Sequence, residues 1–127
     1  MPSEESARRV RALVVDDDDS TLEHVGAVLH RLNFDVENSF DGLDALRRCQ
    51  SARYDIIVCD VRMPRLSGLS FLNHLTQTEN VSTPVVMLSA IDDGDVRRQA
   101  LSSGAIAYLV KPVSSELLSY TVQESVK

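Results

Sequence analysis

Short apolar runs recur along this chain, and each gives way to a stretch in which hydrophobic positions fall every three or four residues. The runs at 11–15, 35–39, 55–59, 84–88 and 105–110 predict five strands. Several are apolar nearly throughout, as strands covered on both faces must be. Between the first two, Leu22, Val25, Val28, Leu29 and Leu32 predict a helix over 20–32, with Asp19 or Ser20 as its cap and Asn33 as a left-handed stop. The turn Asp41-Gly42 precedes a helix over 43–50 that continues through Leu43, Leu46 and Arg47. Ser67-Gly68 opens another over 69–78, with Leu69, Leu72 and Leu75 on one face. Asp92 or Asp93 caps a fourth helix over 95–103, whose inner face offers only Val96, Ala100 and Leu101 and is therefore weakly anchored. A fifth helix opens at Ser114 or Ser115 and packs through Leu117, Leu118, Thr121 and Val122.

Strands alternating with helices indicate βα units around a parallel sheet. Ligands of such open α/β sheets bind beyond the carboxyl ends of the strands. Those ends deliver Asp16 and Asp17 from the first strand, Asp60 from the third, Ser89 from the fourth and Lys111 from the fifth. Three acids, a hydroxyl and an ammonium are thus expected on one edge.

Size and composition narrow the field. At 127 residues the chain suits one domain with one core. Residues 1–10 read as a polar tail and 11–127 as the folded domain, with Arg8, Arg9 and Arg11 along an edge of the first strand. A net charge of −6 argues against direct nucleic-acid binding, which needs clustered cations. No run reaches membrane-spanning length, and Met1-Pro2-Ser3-Glu4-Glu5-Ser6 lacks an apolar signal segment, so a cytoplasmic location without membrane association is expected. Cys49 and Cys59 match no metal-ligand spacing and read as reduced packing thiols. His24, His30 and His74 likewise lack metal spacing.

The quartet Asp16-Asp17-Asp18-Asp19 concentrates repelling charge at a strand end. A hard divalent cation resolves that repulsion and keeps the acids ionised. Mg²⁺ holds one or two carboxylates directly and keeps several waters. Asp17 and Asp60 are therefore candidate ligands, Asp16 a ligand through water, and the backbone carbonyl of Arg62 a further oxygen. Asp18 and Asp19 read as turn and helix cap. Lys111 and Ser89 suit the oxygens of a bound phosphoryl group, which the Asp60 carboxylate is placed to attack in line.

These residues stand within longer motifs: Leu13-Val14-Val15-Asp16-Asp17-Asp18, Asp41-Gly42-Leu43-Asp44-Ala45-Leu46, and 55–64 (Asp55-Ile56-Ile57-Val58-Cys59-Asp60-Val61-Arg62-Met63-Pro64) with Gly68. Further on come 84–90, ending Leu88-Ser89-Ala90, and 104–112, ending Tyr108-Leu109-Val110-Lys111-Pro112. In order and spacing the chain resembles the receiver domains of two-component response regulators. The resemblance implies a doubly wound α/β fold, a five-stranded parallel sheet with five helices in the flavodoxin-like order 2-1-3-4-5. It implies that Asp60 is the phosphoacceptor, that Asp16 and Asp17 build the pocket for Mg²⁺ (or Mn²⁺ in its place), and that Ser89, Ala90, Lys111 and Tyr108 occupy phosphoryl-binding or switch positions. The Tyr108 ring is expected to turn inward when the Ser89 hydroxyl moves toward phosphate, and Lys111-Pro112 is expected to be a cis bond. The implied partners are a histidine kinase or histidine phosphotransfer protein upstream, and an effector reached through the fourth helix, fifth strand and fifth helix. The implied state is a monomer or a phosphorylation-dependent dimer.

Several positions depart from the family pattern. Ser89 stands where Thr is common, keeping the hydroxyl without the methyl that restricts its rotamer. Leu22 replaces a frequent Arg and is expected to join an apolar docking patch on the first helix. Arg62 and Ile91 flank the site without an acid or carboxamide to orient an attacking water, which points to a long phosphoryl lifetime. Ala107 and an Arg-poor last helix disfavour the dimer of winged-helix regulators. The other readings are a pseudo-receiver that acts without phosphorylation, a small Mg²⁺-dependent phosphohydrolase and an FMN carrier. The hydrolase reading lacks a second acid in Asp60-Val61-Arg62, and the FMN reading lacks a phosphate loop and any Trp.

Overall fold

The computed structural model describes residues 10–127. Five strands alternate with five helices: β1 (Val10–Val15), α1 (Asp19–Arg31), β2 (Phe34–Ser39), α2 (Gly42–Ser51), β3 (Ile56–Asp60), α3 (Gly68–Leu75), β4 (Val85–Ser89), α4 (Gly94–Ser102), β5 (Ala107–Val110) and α5 (Ser115–Ser125). All strand pairs are parallel, in the order β2-β1-β3-β4-β5. The expected α/β architecture and strand order are therefore present. Arg8, Arg9 and the tail lie outside the described residues, apart from Val10, which opens β1.

The apolar strands alternate between two layers. Leu13 and Val15 of β1 join Ala45, Cys49, Phe71, Leu72, Leu75 and Ala100 on the face covered by α2, α3 and α4. Ala12 and Val14 join Leu22, Val25, Val28, Leu29, Leu118 and Val122 on the face covered by α1 and α5. Both faces of β3 and β4 are buried along their whole length, which is why those strands carry no alternating polar positions. Both cysteines are free and buried, and burial pushes the Cys49 thiol up to about 12.

Several expectations need correction. The β3 and β4 strands extend to Asp60 and Ser89, and β5 begins only at Ala107. The cap of α1 is Asp18, whose carboxylate accepts the Ser20 and Thr21 hydroxyls instead of a backbone amide. The third helix stops at Leu75, where Thr76 and Thr78 turn their hydroxyls back onto the Asn73 and Leu75 carbonyls. Its most buried residue is Phe71, while Leu69 is half-buried. Leu43, Leu101 and Leu117 face solvent, because Ala45 with Cys49, Ala100, and Leu118 with Val122 occupy the inward stripes of their helices. Leu22 is 5% exposed and belongs to the core beneath α1, so it forms no surface docking patch. Asn33 does adopt the left-handed stop, with φ 71°.

One buried polar side chain ties the end of α2 to the approach to β4. The amide of Asn80 donates to the Cys49 and Ala52 carbonyls at 2.8 and 2.7 Å, and its oxygen accepts from the Tyr54 N–H and the Thr83 hydroxyl at 2.7 and 3.0 Å. Removing it strands several buried backbone groups at once, each costing 1–3 kcal/mol. Asn80→Ala is expected to lower unfolding stability by about 3 kcal/mol, read from the urea midpoint at unchanged slope; a loss below about 1 kcal/mol would show that water replaces the amide.

Candidate phosphoacceptor site

The register of the sheet sets the site. Val15 lies beside Cys59, Asp60 beside Leu88, and Ser89 beside Val110. The residues at or just after these positions, Asp16, Asp60, Ser89 and Lys111, consequently line up along one edge. Backbone bonds extend the alignment past the strands: Asp16 N–H donates to the Ser39 carbonyl, Val61 to Leu88 and Lys111 to Ser89, at 3.0, 2.9 and 2.8 Å.

The Lys111 ammonium donates to Asp16 Oδ2 at 2.8 Å and to Asp60 Oδ2 at 3.1 Å. The remaining oxygens take backbone amides, Asp16 Oδ1 from Asp18 at 2.9 Å and Asp60 Oδ1 from Arg62 at 3.1 Å. Asp16 is 1% exposed and Asp60 8%, whereas Asp17 is exposed. Burial pushes the Asp16 carboxyl upward, and the Lys111 and Asp18 hydrogen bonds offset this only in part. Burial works the other way on Lys111, but its bonds to Asp16 and Asp60 outweigh it and hold the ammonium above its usual range. Lys111 therefore stays charged while it bridges two acids.

Oxygen atoms of Asp16, Asp17 and Asp60 lie within 4.8 Å of one another. Such an oxygen-only set, with one exposed member, fits a hard cation such as Mg²⁺ and would suit soft or nitrogen-preferring metals poorly. Asp18 and Asp19 fall outside this group. Arg62 is exposed and approaches Asp60 through its backbone, and the Lys111–Pro112 bond is cis.

Ser89 is buried and its Oγ accepts the Ile91 N–H at 3.1 Å; Ala90 beside it is exposed. The Tyr108 ring is buried, and its hydroxyl donates to the Ile91 carbonyl at 2.9 Å. The ring thus already sits inward in this structure. Arg97, which the sequence pattern did not single out, covers it with its guanidinium carbon 4.8 Å from the ring centroid. The only hint was a cation on the inner side of a helix short of apolar residues. His24 reaches across from α1 with Nε2 2.9 Å from the Val113 carbonyl, flooring a cleft of about 490 Å³ lined also by Thr21, Lys111 and Pro112.

This chain belongs to the response regulator receiver domain family of two-component systems, whose model matches residues 12–123. Transcriptional regulatory protein ZraR of Klebsiella oxytoca is 35% identical over 120 residues, which cover 94% of this chain and 27% of that protein. The chain thus spans little more than a quarter of that curated relative. Chemotaxis protein CheY4 of Vibrio cholerae superposes with a TM-score of 0.85 at 33% identity, covering 93% of this chain and 99% of CheY4. The receiver domain of the sensor histidine kinase PA1611 of Pseudomonas aeruginosa PAO1, solved with a magnesium ion coordinated in its active site cleft, gives 0.85 at 29% identity over 94% of this chain and 98% of that one.

Gly68 is the close neighbour of this edge. A methyl built on it would stand 2.2 Å from the Asp60 carbonyl oxygen and 2.9 Å from Val61 Cα and Met87 Cε, while its N–H donates to the Val61 carbonyl at 2.8 Å. Backbone on one side leaves no cheap relaxation. Gly68→Ala is expected to destabilise the fold by about 1–3 kcal/mol, measured by urea unfolding, and an unchanged midpoint would mean that α3 can slide away from β3.

Proposed function

We propose that this domain accepts a phosphoryl group on Asp60 from a histidine kinase or histidine phosphotransfer protein and relays its arrival to an effector through the face formed by α4, β5 and α5. The observation that carries the reading is Lys111, bonded at once to Asp16 and Asp60 beside an exposed third acid. In the proposed step an Asp60 carboxylate oxygen bonds to phosphorus as the P–N bond of a phosphohistidine breaks, and the donor imidazole leaves with the electron pair. Lys111 is within reach to turn its ammonium onto a phosphoryl oxygen, and the Ser89 hydroxyl, at the end of the neighbouring strand, to donate to a second. Asp17 and Asp60, with Asp16 through water and the Arg62 carbonyl, would hold Mg²⁺, or Mn²⁺ in its place. When bound, the ion would neutralise charge shared between the acids and the incoming group. The backbone amide on Asp60 Oδ1 fixes the carboxylate plane, and Ala90 offers backbone beside Ser89.

Response is then a small redistribution between conformations: a phosphoryl group that draws Ser89 away from the Ile91 N–H alters the segment that also holds the Tyr108 hydroxyl. The cleft beside Lys111, bordered by α1 and by the segment after β5, is wide enough for a donor side chain to approach. We place the receiver domain at 11–127 and its working location in the cytoplasm. Among the described residues no helix is long and apolar enough to cross a membrane.

Incubation with acetyl phosphate and Mg²⁺ is expected to label the wild type, with label lost on Asp60→Asn and on chelation of the metal. Labelling of Asp60→Asn equal to the wild type would refute the assignment, and a wild type that takes neither acetyl phosphate nor beryllofluoride would favour the pseudo-receiver reading. The exposed Arg62 and Ile91 beside the site carry no group to orient water. Isolated phosphoprotein in excess Mg²⁺ is therefore expected to keep its label for minutes or longer, and decay within seconds would contradict this.

A further inference from the structure

The helix with the least apolar anchorage also holds the sheet through a cation. α4 buries only Ala100, and Leu101 on the next position faces solvent. Arg97 lies one turn earlier. Its guanidinium covers the Tyr108 ring, one terminal nitrogen donates to the Tyr108 carbonyl at 3.2 Å, and the other donates to Asp92 at 3.3 Å. The Asp92 pair is exposed and contributes little. The stack and the carbonyl bond are therefore the polar contacts that join α4 to Tyr108 of β5, beside the apolar packing of Ala100 and half-buried Val96.

Below the guanidinium the Tyr108 ring is 4% exposed, with its hydroxyl on the Ile91 carbonyl, and Ile91 in turn gives its N–H to Ser89. An aromatic face is offered to Arg97 only while the ring lies in this position. If the ring swung outward, the stack and the Ile91 bond would be lost together. We propose that Arg97 is a positioning residue that holds Tyr108 in its buried rotamer, raising the population of the conformation in which the segment from Ser89 to Ile91 is set to receive a phosphoryl group. This rests on the reading of Asp60 as the phosphoacceptor. Arg97 touches no reacting atom and acts through the ring.

The chain has three tyrosines, so isotope-labelled tyrosine gives NMR ring signals for Tyr54, Tyr108 and Tyr120 that can be assigned one by one. Beryllofluoride with Mg²⁺ serves as the probe of the phosphoryl site. Arg97→Ala is expected to move the Tyr108 signals toward those of an exposed ring while leaving Tyr54 in place, and to weaken beryllofluoride binding about three- to tenfold. In a Tyr108→Ala background the same substitution should change affinity by less than about twofold, because no ring remains to be held. Unchanged Tyr108 signals in Arg97→Ala, or equal weakening with and without Tyr108, would overturn the proposal. Arg97→Lys keeps the charge without the planar face, and is read against the same outcomes should Arg97→Ala fail to fold. A wild type that binds no beryllofluoride contradicts the phosphoacceptor reading instead, and the ring signals then decide the role of Arg97 alone.

Discussion

The ammonium of Lys111 between Asp16 and Asp60 is the constraint around which the rest of this molecule is arranged. Carboxylates brought together at a buried strand edge repel, and burial alone drives Asp16 toward its protonated form. A lysine at the end of β5 offsets that push on Asp16 in part and bridges it to Asp60, provided that β5 lies in the same sheet with its end level with those of β1 and β3. The parallel order and register provide this. A buried ion pair of this kind rarely adds net stability, since desolvation consumes most of the Coulomb gain. The two apolar layers on either side of the sheet supply the stability, and the charged edge adds little to it.

The path from that edge to the surface is short and mostly backbone. Ser89 contacts the Ile91 N–H, the Ile91 carbonyl holds the Tyr108 hydroxyl, and Tyr108 lies under Arg97 of α4. Each link is a hydrogen bond or a stack with a clear broken state, so the segment suits a two-state response better than a graded one. The thin apolar anchorage of α4 belongs to the same design. A helix held by buried Ala100, half-buried Val96 and the Arg97 stack shifts at lower cost than α1, which buries Leu22, Val25, Val28 and Leu29.

The sheet, its helices and the candidate site were legible in the sequence because both signals are local. Apolar runs mark strands buried on two faces, and the polar residues that end four of those runs mark the candidate site's edge. What the sequence concealed was packing. Period 3.6 admits more than one inward stripe in a short helix, so Leu101 and Leu117 read as core alongside Ala100 and Leu118, of which only Ala100 and Leu118 are buried. Leu22 read as part of a docking surface because it stands where the family often carries Arg, yet α1 turns it into the layer above the sheet. Asn80 and Arg97 escaped notice for a related reason. Each draws its importance from partners far along the chain, Asn80 from Cys49 and Tyr54 and Arg97 from Tyr108, and no spacing rule connects them.

Borohydride trapping locates the chemistry at a single residue, since it reduces an aspartyl phosphate to homoserine. After incubation with acetyl phosphate and Mg²⁺, followed by borohydride and peptide mass spectrometry, homoserine is expected at position 60 and at no other aspartate. Homoserine at position 16 or 17 in place of 60, or none anywhere in a folded and metal-loaded protein, would contradict the assignment of Asp60 and of the Lys111-centred site built around it.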